Sequence, residues 1–102
     1  MTRTSLNEIT GFAICEQFVP EEARVVVLAV DGAWRRQGIG QYLLDQIVEF
    51  YTMKKTEFLS LTVHVDNTQA INLYERNDFK RITVMKRYFL QDGDGILMRR
   101  EL

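Results

Sequence analysis

Two arginines and two glycines lie where an apolar segment gives way to a helical pattern, an arrangement that suits phosphate binding. The segment reads Arg35-Arg36-Gln37-Gly38-Ile39-Gly40. The first N–H groups of a helix have no partner within the helix and carry the positive end of its dipole. Because glycine has no Cβ, a pyrophosphate can approach such a backbone closely. The sequence therefore predicts an anion-binding turn over residues 35–40.

The spacing of this turn matches neither the dinucleotide pattern G-x-G-x-x-G nor the P-loop pattern G-x-x-x-x-G-K-[ST]. Its R-x-x-G-x-G pattern resembles the acyl-CoA pyrophosphate loop of the GNAT N-acetyltransferase superfamily. Leu28-Ala29-Val30 upstream is similar to the strand on which that family seats the thioester and pantetheine arm. The segment 67–79 resembles the family's N-x-x-A-x-x-x-Y-x-x-x-G-F sequence. The resemblance covers most of the chain, from about residue 11 to residue 98.

The resemblance implies an enzyme in which a primary amine attacks the acetyl group of acetyl-CoA directly. Backbone N–H groups near Leu28 and Val30 would polarise the thioester carbonyl, as in an oxyanion hole. Tyr74 matches the family tyrosine that hydrogen-bonds the departing sulfur, and the alternative is a tyrosine of the core. Asn67 matches a pantetheine contact, although capping the following helix would explain this residue equally well.

The general base is where the sequence departs from the family. Some relatives carry a Glu eleven residues before the loop's first Arg, where this chain has Arg24, and others carry one five residues before the Asn, where it has Thr62. His64 lies on the same strand face as Thr62, and histidine titrates near neutral pH. We expect His64 to act as the base, with a purely structural role left open. The remaining alternatives are an ordered water and two carboxylates, Glu21 and Glu22.

A site without a strong base favours an acceptor of low pKa. A lysine amine, with a pKa of about 10.4, is neutral in roughly one molecule in two thousand at pH 7, whereas an α-amine near 7.8 is neutral in roughly one in seven. Tyr88-Phe89 and the segment 94–98 also resemble α-amine acetyltransferases that act on protein N-termini, including the ribosomal-protein alanine type. Tyr88 would then bind the acceptor peptide, or else be an ordinary strand aromatic. The alternative function is a non-catalytic acyl-CoA-binding or regulatory module.

The composition of the chain limits which other classes of protein it could belong to. The chain has 102 residues and a formal charge of −1, which suits one domain over 1–102 with no long-range attraction to nucleic acid or membrane. No apolar stretch reaches bilayer length and no signal peptide is evident, so we expect a cytoplasmic protein. One Cys and one His allow neither an internal disulfide nor a zinc cluster, and no metal is predicted. Cys15 is expected to be a small buried hydrophobe.

Hydrophobic periodicity predicts an α/β (α+β) fold with a mixed sheet in the order ββαβαββ. Asp66 or Asn67 should cap the second helix, and Asn77 should end it in a left-handed conformation. The predicted elements are strands 8–19 and 25–30, a helix from 36 to about 54, a strand 58–65, a helix from 67 to 77, and a final hairpin of 79–89 with 95–102 around an Asp-Gly turn.

Members of the family usually carry a further strand and two helices ahead of this region. Their absence here fits a minimal member, a wall supplied by a second subunit, or a fragment. Uncovered apolar surface and open strand edges tend to be closed by self-association. We therefore expect a homodimer whose interface lies beside the acceptor groove.

Overall fold

A computed structural model describes residues 2–8, 11–30 and 38–102. It contains six strands, two α-helices and one short 3₁₀ turn in this part of the chain. In chain order these are β1 (Thr2–Glu8), β2 (Gly11–Val19), β3 (Glu22–Val30), α1 (Ile39–Met53), β4 (Phe58–His64), α2 (Thr68–Arg76), β5 (Lys80–Met85), the 3₁₀ turn (Leu90–Asp92) and β6 (Gly95–Glu101).

The chain forms two compact units, of which the first comprises residues 1–59 with residue 102. Here β1 pairs antiparallel with β2, and β2 pairs antiparallel with β3. Helix α1 contacts β2 and β3. Small and branched apolar side chains from these elements form the core, including Ala13, Cys15, Val25, Leu43, Leu44, Ile47 and Tyr51.

Helix α1 forms because its apolar residues recur at helical spacing and bury one stripe. It begins after Gly38, which has φ +78°, a conformation that favours glycine. The Tyr42 N–H donates to the Gly38 carbonyl at 2.9 Å and closes the first turn. At the other end, Gln17 accepts from Lys54 Nζ at 2.8 Å and donates to the Thr56 hydroxyl at 3.1 Å, which ties β2 to the end of α1.

The second unit comprises residues 60–101 and contains most of β4, with β6 lying between β4 and β5. Strands β5 and β6 pair antiparallel from Lys80 opposite Arg99 to Met85 opposite Gly95, with an irregularity between Arg81 and Thr83. Strand β5 is solvent-exposed along nearly its whole length. The core of this unit includes Leu61, Val63, Ile71, Tyr74, Phe79, Ile96 and Met98.

The predicted α/β class is confirmed, and the predicted element order holds from β2 onward. The structure adds β1, which its polar sequence does not reveal because backbone pairing with β2, and not apolar alternation, defines it. Helix α1 begins at Ile39; the predicted first helical residues, 36 and 37, lie outside the described part of the chain.

Two local predictions were wrong. The left-handed residue after α2 is Asp78, with φ +69°, and not Asn77, with φ −107°. The predicted final hairpin of β5 and β6 is confirmed by their antiparallel pairing, but β5 ends at Met85 and not at Phe89. Residues 86–94 therefore form a longer connecting loop that contains the 3₁₀ turn. Tyr88 and Phe89 therefore lie in this 86–94 loop and not in a strand.

Asn67 caps α2: its side-chain oxygen accepts from the Ala70 N–H at 3.2 Å. Replacing Asn67 with Ala removes this acceptor, and we expect a loss of about 1 kcal/mol in the free energy of unfolding, measured by denaturant titration. Asn67→Asp is the matched control, because aspartate keeps an accepting oxygen at a helix N-terminus. Equal stability of the Ala variant and the wild type would show that the cap contributes nothing.

Candidate functional site

The start of α1 presents backbone N–H groups that the helix itself does not pair. No side chain from the described residues caps this helix, and its first turn contains no acidic residue. The N–H groups of Ile39 and Gly40 therefore lie at the positive end of the helix dipole, where the first N–H groups of a helix have no intrahelical partner. Gly38 is exposed and Gly40 half-buried. Of the other residues predicted to hold the cofactor, Leu28 and Val30 lie at the end of β3, while residues 35–37 fall outside the described part of the chain.

Tyr74 lies on the buried face of α2, with 8% of its surface exposed. Its ring packs against Phe79 with centroids 5.8 Å apart. Burial raises the pKa of the Tyr74 phenol, so the hydroxyl is protonated and able to donate at neutral pH. Among the described residues no group hydrogen-bonds this hydroxyl. Tyr74 thus combines a packed ring with an available donor.

Asn67, about two turns of helix before that tyrosine, has its side-chain oxygen engaged in capping α2. Its side chain is exposed, and its amide nitrogen has no partner within the described residues. The cap accounts for the oxygen, and the amide N–H₂ remains able to donate to a ligand.

Both ring nitrogens of His64 are engaged within the second unit. Nε2 hydrogen-bonds the carbonyl oxygen of Asp92, so Nε2 carries the proton. Nδ1 accepts the backbone N–H of Asp66 at 3.0 Å. In this tautomer the Asp66 carboxylate, 3.9 Å from Nδ1, faces a lone pair and not a cation. The predicted base is therefore held by two neutral hydrogen bonds, and accepting a proton at Nδ1 would break one of them.

An aromatic cluster connects His64 with Tyr88. The His64 ring stacks on Phe89, with centroids 5.3 Å apart and an interplanar angle of 28°. Tyr88 meets Phe89 edge-on at 4.9 Å. The structure thus brings together two residues that the sequence assigned separately to catalysis and to acceptor binding. Tyr88 is 42% exposed, which leaves part of its ring available to a ligand.

Two glycines allow this cluster to form. A Cβ on Gly95 would lie 2.6 Å from Thr62 Cγ2, 3.2 Å from Tyr88 Cβ and 3.3 Å from Phe89 Cε2. A Cβ on Gly93, which has φ +119°, would lie 3.0 Å from His64 Nε2. Side chains at these positions would occupy the space that the aromatic rings and the imidazole fill.

Asp94 closes the 86–94 loop. Its carboxylate accepts the Arg87 N–H at 2.8 Å and lies 3.4 Å from Lys86 Nζ. The hydrogen bond from the Arg87 backbone, followed by the contact with Lys86, lowers the pKa of the Asp94 carboxyl. The group is therefore ionised at neutral pH, and its contribution to the loop is lost only as pH falls through this lowered value.

The positions where relatives carry a base hold no carboxylate. Thr62 donates its hydroxyl to Met85 Sδ at 3.9 Å, and Arg24 is exposed. Glu21 is exposed and uses its backbone carbonyl to accept the N–H groups of Glu57 and Phe58, both at 2.9 Å. Glu22 is half-buried at the start of β3.

Cys15 is buried in the core of the first unit, as expected, and burial raises the pKa of its thiol to about 12 despite a hydrogen bond with Tyr51. It is therefore a protonated thiol. Within the described residues no group of three or more acidic, His or Cys side chains is placed to hold a metal ion. Among the same residues no helix has the length and apolar character that crossing a bilayer requires.

A family model for GNAT acetyltransferases matches residues 3–79. The chain belongs to the GNAT acetyltransferase family. The [ribosomal protein bS18]-alanine N-acetyltransferase of Escherichia coli K12 is 35% identical over 98 residues, which cover 93% of this chain and 66% of that protein. This GNAT chain therefore spans slightly less than two thirds of that relative.

Solved structures agree on the fold. The crystal structure of the ribosomal-protein-S18-alanine N-acetyltransferase from Escherichia coli is 31% identical and superposes with a TM-score of 0.86, covering 97% of this chain and 68% of that one. The crystal structure of the NatC complex bound to Gag peptide and CoA contains a chain that is 28% identical with a TM-score of 0.85, covering 91% of this chain and 61% of that one. The GNAT fold is thus shown by sequence and by structure.

Sequence analysis missed the backbone partner of His64, the Asp92 carbonyl, and the packing role of Gly95. A carbonyl leaves no trace in residue identity, so the first could not be found from sequence. The Asp-Gly-Asp-Gly sequence did signal a special backbone, although it indicated a hairpin turn and not close packing.

Gly95→Ala tests the close packing. We expect a destabilisation of about 1–3 kcal/mol, because the new Cβ overlaps the Thr62 methyl group. Thr62→Ser removes that methyl and keeps the hydroxyl that donates to Met85, so the Gly95→Ala/Thr62→Ser double variant should recover much of the loss. The free energies of unfolding of the four proteins form a double-mutant cycle. Additive effects would show that the two positions do not interact.

Proposed function

We propose that this GNAT chain is, or forms part of, an N-acetyltransferase that moves an acetyl group from acetyl-CoA to a primary amine, with a peptide or protein α-amine as acceptor. The observation that carries the proposal is Tyr74, whose ring is buried and whose hydroxyl is protonated and without a partner among the described residues. Even a phenol with the ordinary pKa of about 10 would transfer its proton uphill by about 2 kcal/mol to the thiolate of a thiol with pKa about 8.5. Burial raises the pKa of Tyr74 further, so it does not fully protonate the thiolate. Tyr74 instead donates a hydrogen bond to the developing thiolate.

The residues present fit acetyl-CoA. The start of α1 offers backbone N–H groups to a pyrophosphate, and Gly38 and Gly40 carry no side chain of their own there. The amide N–H₂ of Asn67 is available to donate to the pantetheine arm. Acetyl-CoA, when bound, supplies the acetyl group and the leaving thiolate.

The hydrogen bonds already made by His64, the residue expected to act as the base, favour an α-amine as the acceptor. His64 uses both ring nitrogens in internal hydrogen bonds. Since a substantial fraction of an α-amine is already neutral near pH 7, such a substrate needs less assistance from a base than lysine does. The E. coli relative is named for alanine acetylation of ribosomal protein bS18, which supports the same class of acceptor. A partly exposed Tyr88 would contact the peptide.

A non-catalytic acyl-CoA-binding module is the second candidate, and it is favoured by the lack of a carboxylate at both usual base positions. It differs from the enzyme in releasing no CoA when amines are added. Assembly as a homodimer and a cytoplasmic location remain predictions.

Tyr74→Phe tests the proposed role of the hydroxyl. We expect kcat to fall roughly ten- to a hundredfold while acetyl-CoA affinity changes little, because the hydroxyl acts mainly on charge that develops during transfer. The phenylalanine ring retains the packing against Phe79. Tyr42→Phe, which removes a hydroxyl from an exposed position on α1, is the matched control. Unchanged turnover in the Tyr74 variant would return this residue to a packing role.

Gly40→Asp tests the anion-binding turn. Wild-type protein should bind acetyl-CoA with a dissociation constant on the order of micromolar and be stabilised against heat, by mass action. The aspartate places negative charge where the pyrophosphate would lie, although a carboxylate in the first turn itself favours the helix. We therefore expect binding to be abolished by calorimetry without loss of the fold, and Gly40→Ala to bind more tightly than Gly40→Asp. Equal affinity of all three proteins would remove the assignment.

A further inference from the structure

The 86–94 loop has an unusual backbone that depends on its own hydrogen bonds. Arg87 and Leu90 have positive φ angles of 53° and 57°, which side-chain-bearing residues seldom adopt. Within the loop, the Leu90 N–H donates to the Arg87 carbonyl at 2.8 Å. The Phe89 N–H donates to the Gly93 carbonyl, and the Asp92 N–H donates to the Phe89 carbonyl, both at 3.0 Å. These bonds shape the loop but do not by themselves place it against β4.

His64 supplies a side-chain attachment of this loop to β4. Its Nε2–H donates to the Asp92 carbonyl, and its ring stacks on Phe89. The Asp66 N–H donates to Nδ1, which fixes the orientation of the ring. The proton is therefore on Nε2, from which it is donated to the Asp92 carbonyl. Gly93 completes the arrangement, because a Cβ there would lie 3.0 Å from Nε2.

We propose that His64 is a positioning residue, which fixes the 86–94 loop and so places the Tyr88 ring for the amine-bearing substrate. The proposal rests on the proposed acetyltransferase function and replaces the role of general base with one in acceptor binding. The Phe89 ring contacts both the His64 ring and the Tyr88 ring, so the position of Tyr88 depends on that of His64. Displacement of the imidazole would therefore move the aromatic surface that meets the acceptor.

Two amide substitutions separate the two nitrogens of the imidazole. In His64→Gln the side-chain N–H₂ can take the place of Nε2–H and donate to the Asp92 carbonyl. In His64→Asn the shorter side chain can offer an oxygen in place of Nδ1 to the Asp66 N–H, but it does not reach the loop. Neither amide can accept a proton as a base near neutral pH, so the pair are matched controls for each other.

Steady-state kinetics with acetyl-CoA and an alanine-initiated peptide should distinguish the roles. We expect His64→Asn to raise the acceptor KM roughly five- to tenfold, the loss of about one hydrogen bond, and His64→Gln to stay within about twofold of wild type. The KM for acetyl-CoA should be unchanged in both. A large and equal fall in kcat in both variants would identify His64 as a base and overturn the proposal, as would wild-type kinetics in both.

Amide hydrogen exchange gives a readout that does not need turnover. The N–H groups of Phe89, Leu90 and Asp92 should exchange faster in His64→Asn than in wild type, while His64→Gln remains close to wild type and exchange in the β6 core is unchanged. If wild-type protein transfers acetyl to no amine, the proposed function fails, and exchange still decides the role of His64. Equal loop exchange in all three proteins would show that the imidazole does not fix the loop.

Discussion

Close packing at Gly95 is the constraint on which the candidate site of the second unit depends. The strand β6 begins where Thr62, Tyr88 and Phe89 converge, with no room for a side chain between them. Because the rings rest against this backbone, Phe89 can stack on His64, and His64 can reach the Asp92 carbonyl. The absence of one methyl group therefore determines how a strand, a loop and a histidine fit together.

The two units contribute different kinds of groups to the proposed chemistry. In the first, the feature of interest is the backbone, namely the first N–H groups of α1, which no side chain of the described residues caps. In the second it consists of side chains, with Tyr74 on α2 and the aromatic rings near the 86–94 loop. A site made of backbone N–H groups survives changes of side chain as long as the glycine conformations are kept. A site that uses a hydroxyl or an imidazole is lost when that side chain is replaced. This difference explains why the glycine pattern identified the family while the acceptor side remained open.

Helices and strands with a regular apolar pattern could be predicted from the sequence, whereas individual contacts between distant residues could not. The stripe of Leu43, Leu44 and Ile47 indicated α1, and Asn67 indicated the start of α2, because both signals are local. Strand β1 was missed since its residues are polar and only its pairing with β2 makes it a strand. The final hairpin was predicted, but its first strand was extended to residue 89, because no local signal shows that Asp94 and His64 hold residues 86–94 in a longer loop.

The buried Cys15 has a practical consequence for studying the protein. It is the only cysteine in the chain, and burial holds its thiol in the protonated form to a pKa of about 12. Thiol reagents attack the thiolate, so the folded protein presents them with almost no target. A cysteine introduced on an exposed surface would accordingly be labelled selectively, with a fluorophore or a spin label, without first removing the native one.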